Sequence, residues 1–184
     1  GFLVKKLEPP GLNGTVGDFI LNVDSTDIFC EVKSPGWEAD IFREQGPHSP
    51  RLRLPKYINA EARASDNSPE IRYAVNKAYK KIPDGFPSLL IINDDLWLSI
   101  FDEVPVDGIP TCIYRALYYE PSQPPYTDLR PQGCFVSDEY EKLSGVLFIR
   151  TINRFPENKI IYQHILSINR NALHQLPQIL TNKL

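Results

Sequence analysis

Residues 17–33 read GDFILNVDSTDIFCEVK, and the rest of the fold is organised around them. Residues 19–23 and 27–33 are rich in β-branched and aromatic side chains, which favour strands. The residues between them, 24–26, are Asp, Ser and Thr, which favour turns. The pattern therefore predicts a β-hairpin of two antiparallel strands joined by a three-residue loop.

The register of this hairpin determines which charged side chains meet. A three-residue loop places Asp18 opposite Val32, and a four-residue loop places it opposite Glu31. In both registers Asp18 lies beside the end of the second strand. Side chains alternate along a strand, so Glu31 and Lys33 point to the same face, about 6.5–7 Å apart. We therefore expect two carboxylates and one ammonium to reach a common small volume.

Two converging carboxylates repel each other unless a positive charge lies between them. Hard divalent cations fill this role, and Mg²⁺ takes one or two protein carboxylates while keeping waters and accepting phosphate oxygens. A lysine beside such an ion orients or deprotonates the attacking water and offsets charge on the phosphate. The three side chains thus indicate phosphodiester hydrolysis with Mg²⁺ or Mn²⁺. The alternative is that Asp18 ends a turn and that Glu31 and Lys33 are ordinary surface charges.

The dipeptide GD at 17–18, followed by EVKS at 31–34, resembles the PD-(D/E)xK motif of the restriction-endonuclease-like nuclease superfamily. The resemblance implies an α/β fold with a restriction-endonuclease-like core, in which a central mixed β-sheet is flanked by helices. It also implies a Mg²⁺ ion held by Asp18 and Glu31, with Lys33 as the catalytic group that assists the water. The implied activity is that of a DNA endonuclease.

The resemblance is closest in the hairpin and extends less specifically over residues 1–100, where a helix and another strand follow. Gly17 replaces the proline that the family often has, at a position that shapes the turn and supplies no ligand. Many members also add an acidic ligand from a helix upstream of the first strand, and this chain begins too late to contain one. We expect a single nuclease-like domain over residues 1–184 that lacks this helix.

The overall composition is that of an ordinary globular protein, with 42% hydrophobic residues and a mean hydropathy of -0.29. We see neither an apolar run long enough to span a membrane nor a signal peptide, and we expect a cytoplasmic protein with no membrane partner. The three cysteines are widely spaced and predict neither disulfides nor a zinc site, but small buried side chains. The net charge of -3 argues mildly against general nucleic-acid binding.

The charge is unevenly distributed along the chain. Residues 41–81 contain nine basic and four acidic side chains, whereas residues 82–145 contain three basic and eleven acidic ones. The basic segment follows the hairpin directly, so we expect it to contact the phosphates of a nucleic acid, in particular DNA. The candidate contacts are Arg51, Arg53, Lys77 and Lys81. Lys77 and Lys81 are one turn apart and share a face of the predicted helix, and the resemblance implies that one of the two lies near the site without deciding which. The alternative is a solvated helix face followed by a charged loop.

The remaining elements are predicted from hydrophobic periodicity and turn signals. Apolar residues at helical spacing predict a helix that begins near Ser68, with Ser68 as its N-cap and Pro69 in the first turn. An apolar run at 88–93 predicts a buried strand parallel to 27–33, because a crossover helix separates the two. The other predicted elements are a strand at 2–7, a loop at 37–56, a helix at 109–119, a helical turn capped by Ser137 or Asp138, and antiparallel strands at 145–150 and 159–168.

Three functions are compatible with this sequence. The first is a metal-dependent endonuclease, for which a homodimer would account for double-strand cleavage. The second is a catalytically silent protein of the same fold that binds nucleic acid or a protein partner, with the three charged groups as a structural salt-bridge cluster. The third is an unrelated α/β domain in which the Glu-x-Lys triplet is accidental. Divalent-ion binding distinguishes the first function from the second.

Overall fold

The computed structural model describes residues 2–33, 67–93, 105–120, 132–154 and 159–183. Its strands are β1 (Phe2–Leu7), β2 (Phe19–Val23), β3 (Thr26–Lys33), β4 (Ser88–Asn93), β5 (Pro105–Val106), β6 (Ile109–Pro110), β7 (Gly145–Arg154) and β8 (Lys159–Ile168). Six of them form one mixed sheet in the order β1-β2-β3-β4-β7-β8, and β5 and β6 pair separately. The fold is therefore α/β with a central mixed sheet.

Few helices accompany this sheet in the described ranges. They are α1 (Ser68–Tyr79), α2 (Thr111–Ile113), which continues as a π-helical turn (Tyr114–Tyr118), and α3 (Gln178–Lys183). Short 3-10 turns occur at Leu12–Gly14 and Asp138–Tyr140. None of the helices described here is long and apolar enough to cross a membrane.

The loop of the β2–β3 hairpin contains two residues, Asp24 and Ser25, so the predicted three-residue loop is wrong. Both residues have positive φ angles, 46° and 70°. A two-residue turn with this backbone conformation matches the right-handed twist of the flanking strands. Thr26 consequently joins β3 and pairs with Val23.

This shorter loop sets the hairpin register that brings Asp18 opposite Glu31. Phe19 pairs with Cys30, and Asp18 directly precedes Phe19 in the chain. The Asp18 amide donates a hydrogen bond to the Cys30 carbonyl at 3.2 Å. The register is the second of the two expected from the sequence, reached through two loop residues instead of four.

Helix α1 crosses from β3 to β4 and leaves these strands parallel, as predicted. Phe29 pairs with Ser88 at one end of the ladder, and Lys33 pairs with Ile92 at the other. Strand β4 also pairs in parallel with β7, and β7 pairs antiparallel with β8. Strand β4 therefore lies inside the sheet, as its continuous apolar sequence predicted.

Helix α1 begins at Ser68, but its N-cap position is occupied by Asn67 rather than by Ser68. Pro69 lies in the first turn, where its missing N–H removes no intrahelical hydrogen bond. Ile71 and Val75 are fully buried, which confirms the apolar stripe predicted from helical spacing.

The helix predicted at 109–119 is shorter than expected. Ile109–Pro110 forms β6 and pairs with β5, so the helical segment begins only at Thr111 and its π-helical part ends at Tyr118. Pro110 occupies the position before the first helical residue, with an extended ψ of 137°.

The other predicted elements are largely confirmed. The Ser137 side chain accepts a hydrogen bond from the Glu139 amide at 3.1 Å and caps the short turn that follows. Strand β1 occupies 2–7 as predicted, and β8 occupies 159–168, whereas β7 continues past the predicted residue 150 to Arg154. The loop predicted at 37–56 lies outside the described residues.

The sheet has a hydrophobic core on each face. The first core lies under α1 and α2 and includes Phe29 and Phe148. The second lies under the C-terminal segment and includes Cys30 and Leu180. Because successive residues of β3 alternate between the two cores, Glu31 lies on the α1 side of the sheet.

The structure gives a steric reason for glycine at position 17. Gly17 is buried, and a Cβ atom added to it would lie 2.3 Å from Cζ of Phe29. The Gly17 amide also donates a hydrogen bond to the Pro9 carbonyl at 2.9 Å. A proline would add the clashing carbon and remove this donor, so the close approach of the Phe29 ring requires glycine.

We predict that Gly17→Ala lowers the free energy of unfolding by about 1–3 kcal/mol, because the buried Phe29 ring must move to admit the methyl group. Urea denaturation measures the effect. In a Phe29→Leu background the same substitution should cost less, since the ring is absent and the two sites are coupled. An equal cost in both backgrounds would contradict this explanation.

Candidate functional site

The buried Glu31 side chain is the centre of a cluster of charges whose other members are partly exposed. Its relative exposure is 1%, and its Oε1 atom accepts hydrogen bonds from two ammonium groups. Lys33 donates from the same face of β3, and Lys81 donates from the turn after α1 at 2.5 Å. A buried carboxylate is destabilising unless it is paired, so these two lysines allow the charge to remain inside the fold.

Lys81 is held in place by its backbone as well as by its side chain. The Leu12 amide donates to the Lys81 carbonyl at 2.8 Å, and the Lys81 amide donates to the Ala78 carbonyl at 2.9 Å. Its ammonium also donates to the Val16 carbonyl at 3.2 Å. The hydrogen bond to Glu31 raises the pKa of Lys81, against the opposing effect of burial. Lys81 therefore stays charged at neutral pH.

Asp18 joins the cluster from the neighbouring strand. Its Oδ2 atom accepts a hydrogen bond from the Val32 amide at 2.6 Å, while its own amide bonds to the Cys30 carbonyl. The Asp18 backbone and side chain thus contact the residues on either side of Glu31. The Asp18 carboxylate is close enough to contribute to the raised pKa of Lys81. The hairpin therefore delivers both predicted carboxylates to one end of the sheet.

The second oxygen of the Glu31 carboxylate, Oε2, is buried and has no hydrogen-bond partner within the described residues. Buried polar atoms are nearly always paired, so an orphaned carboxylate oxygen is a candidate ligand position. Within the described ranges, no group of three or more His, Cys, Asp or Glu side chains is arranged so that it could hold a metal ion. The donor set is thus two carboxylates, which fits Mg²⁺ or Mn²⁺ because Mg²⁺ commonly takes one or two and keeps several waters.

The two lysines predicted on the helix have different positions. The sequence left open which of Lys77 and Lys81 approaches the site, and the structure brings Lys81 to Glu31. Lys77 is exposed, and its ammonium lies 4.4 Å from the centroid of the Tyr73 ring. The two lysines lie on different surfaces because α1 ends at Tyr79. Lys77 belongs to the last turn of the helix, whereas Lys81 lies in the turn that follows it and no longer shares a helix face with Lys77. Arg51 and Arg53 lie outside the described residues.

Sequence reasoning missed the backbone groups that complete the cluster. The Val32 amide positions the Asp18 carboxylate, and the Val16 carbonyl receives the Lys81 ammonium. Every residue carries a backbone carbonyl, and every residue except proline carries an amide N–H, so no residue type signals these contacts. Only the hairpin register and the end of the helix reveal them.

Comparison with known proteins adds no relative. No family model, no curated protein and no solved structure matches the chain. Function is therefore inferred from the site itself.

We predict that Lys81→Met lowers the free energy of unfolding by about 1–3 kcal/mol in the presence of a chelator, because it removes a charge-assisted hydrogen bond from a buried carboxylate. Urea denaturation measures the change. The matched control is Lys77→Met on the exposed side of α1, which should alter stability by no more than about 0.5 kcal/mol. Equal effects of the two substitutions would show that the Glu31 pair contributes nothing to stability.

Proposed function

We propose that the protein is a Mg²⁺-dependent nuclease with a restriction-endonuclease-like fold that hydrolyses the phosphodiester bonds of DNA. The order of elements supports the fold assignment. Three antiparallel strands are followed by a crossover helix and a strand parallel to the third. Asp18 precedes the second strand and the Glu31-x-Lys33 triplet ends the third, as the resemblance to PD-(D/E)xK nucleases implies.

One observation carries the proposal. Glu31 is a fully buried carboxylate that places one oxygen between two ammonium groups and leaves the other without a described partner. A purely structural ion pair gains from using both oxygens, because each unpaired buried acceptor costs about 1–3 kcal/mol. An orphaned buried carboxylate oxygen, at the end of the sheet where the Asp18 carboxylate also lies, is the arrangement expected of a ligand for a hard cation.

Each charged side chain has a separate role in the proposed reaction. Asp18 and Glu31 would hold a divalent ion, which when bound polarises the phosphate and lowers the pKa of a water. The Val32 amide keeps the Asp18 carboxylate oriented, and Lys81 keeps the Glu31 carboxylate oriented. Lys33, held as a hydrogen-bond donor at the same carboxylate, would orient the attacking water and offset charge on the phosphate oxygens.

Contacts to nucleic acid outside this cluster remain a prediction. Lys77 is exposed on α1, where a phosphate can reach it. Arg51 and Arg53 belong to the segment between β3 and α1, which begins directly after Lys33. This segment is basic and follows the proposed metal ligands in the sequence, so we propose that Arg51 and Arg53 contact phosphates of the bound strand.

A catalytically silent protein of the same fold is the second candidate. The observation that favours it is that Lys33 and Lys81 already neutralise Glu31, so the cluster holds together as an ion pair without any metal. Such a protein would bind nucleic acid or a protein partner and would be indifferent to divalent ions.

We predict that the protein cleaves plasmid or single-stranded DNA in the presence of Mn²⁺ or Mg²⁺, and that Lys33→Ala abolishes cleavage without unfolding the protein. The lysine is partly exposed at the end of β3, and Lys81 still pairs with the buried Glu31 carboxylate in this variant, so the fold should persist. Gel assays of cleavage and circular dichroism measure the two effects. Lys142→Ala, which removes a surface ion pair with Asp84, should cleave normally.

Metal binding separates the two candidate functions. Asp18→Asn keeps an acceptor for the Val32 amide but removes the charge, so it should lose Mn²⁺ binding measured by calorimetry. Asp84→Asn, at an exposed carboxylate in a surface ion pair, should bind Mn²⁺ normally. No cleavage of DNA or RNA together with no Mn²⁺ binding would favour the silent protein.

A further inference from the structure

A cleft of about 370 Å³ opens on the same side of the sheet as Glu31. Its floor is formed by Phe29 and Ile20, which are almost completely buried. Its walls are formed by Pro9, Pro83 and Phe86, and the Phe86 side chain is 40% exposed. The interior is therefore apolar and includes two aromatic rings, one of which is accessible to a ligand.

The charged residues that line this cleft are Lys5, Lys6 and Asp27, which together carry one net positive charge. Lys5 donates to the Asp27 carboxylate at 2.6 Å, and this hydrogen bond lowers the pKa of Asp27. The Lys5 charge is thereby neutralised locally. Lys6 lies opposite Ile20 in the β1–β2 ladder and is exposed beside the cleft. The apolar interior would accommodate a flat, uncharged ring, and the positive charge of Lys6 at its edge would attract an anionic group attached to that ring.

The cleft lies next to the proposed metal site on the same face of the sheet. Phe29 precedes Glu31 by two residues on the same face of β3, a separation of about 6.5–7 Å. The Phe29 ring also contacts Gly17, the residue before Asp18, and Pro83 follows Lys81 by two residues. A strand whose phosphate lies at the two carboxylates would therefore carry a neighbouring base to the cleft.

We propose that this cleft binds an unpaired nucleobase of single-stranded nucleic acid, next to the phosphate that the metal site would bind. The base stacks on Phe86 above the floor formed by Phe29, and Lys6 contacts the adjacent phosphate. Stacking on aromatic side chains is the usual way in which proteins bind unpaired bases. A base inside a duplex cannot enter the cleft without leaving its stack. The proposal rests on the proposed nuclease function for its choice of ligand and deepens it by naming the substrate class.

The test is binding of a short dye-labelled oligothymidylate, measured by fluorescence anisotropy in a chelator so that no cleavage occurs. Phe86→Ala should weaken binding about 5- to 150-fold, which corresponds to the 1–3 kcal/mol typical of one lost stacking side chain. The matched control is Tyr162→Ala, which removes a 66% exposed ring from β8 at the opposite edge of the sheet and should leave binding unchanged.

A second measurement tests the phosphate contact of Lys6. In a plot of the logarithm of the binding constant against the logarithm of the salt concentration, Lys6→Ala should reduce the slope by about 0.7, the value for one phosphate contact on a single strand.

Equal binding by Phe86→Ala and Tyr162→Ala would overturn the assignment of the cleft. The assignment would also be overturned if Phe86→Ala weakened the binding of a labelled duplex as much as that of the single strand, because duplex bases cannot reach the cleft. Neither result depends on hydrolysis. If the protein fails to cleave but Phe86→Ala weakens single-strand binding, the cleft stands and the nuclease proposal falls. If it cleaves and Phe86→Ala binds normally, only the cleft is overturned.

Discussion

The buried charge of Glu31 is the constraint on which the site depends. A carboxylate with 1% exposure requires positive partners, and breaking such a pair leaves an uncompensated buried charge. Lys33 comes from the same strand, but Lys81 comes from the far end of α1. The helix must therefore end at one position relative to β3, and the parallel β3–α1–β4 crossover provides this position. The crossover thus serves the electrostatics of the site as well as the packing of the core.

Alternation along β3 separates the charged cluster from the second core. Glu31 faces α1, whereas Cys30 and Ile28 face the C-terminal segment and are fully buried. Burial raises the pKa of the Cys30 thiol to about 12, so this cysteine is an inert packing residue and not a nucleophile. All three cysteines are buried and free, as their spacing predicted. The proposed chemistry at this end of the sheet therefore involves the carboxylates and lysines and not the cysteine.

Much of the fold was predictable because its signals are local. The hairpin, the stripe of α1 and the apolar run of β4 each follow from residue type and periodicity. The two-residue loop was missed because the residues at 24–26 all favour turns. In the structure Asp24 and Ser25 form the turn with positive φ angles, and Thr26 already pairs with Val23. The need for glycine at 17 was also invisible, since it arises from the Phe29 ring, which is twelve residues away in the chain.

The convergence of the charged residues of the candidate site was predictable, but their contacts were not. The sequence identified Asp18, Glu31 and Lys33, since strand alternation and one hairpin bring them together. It could not choose between Lys77 and Lys81, because that choice depends on where α1 ends and how the next turn reaches the Leu12 backbone. The unpaired Oε2 atom of Glu31 likewise depends on the placement of both lysines at the other oxygen.

The central claim, that these carboxylates bind a hard divalent ion, is tested most directly by anomalous diffraction from crystals soaked in Mn²⁺. We expect an anomalous peak within coordination distance of the Oε2 atom of Glu31 and of an Asp18 oxygen. A well-ordered site with no such peak, in which Glu31 still bonds to both Lys33 and Lys81, would contradict the claim.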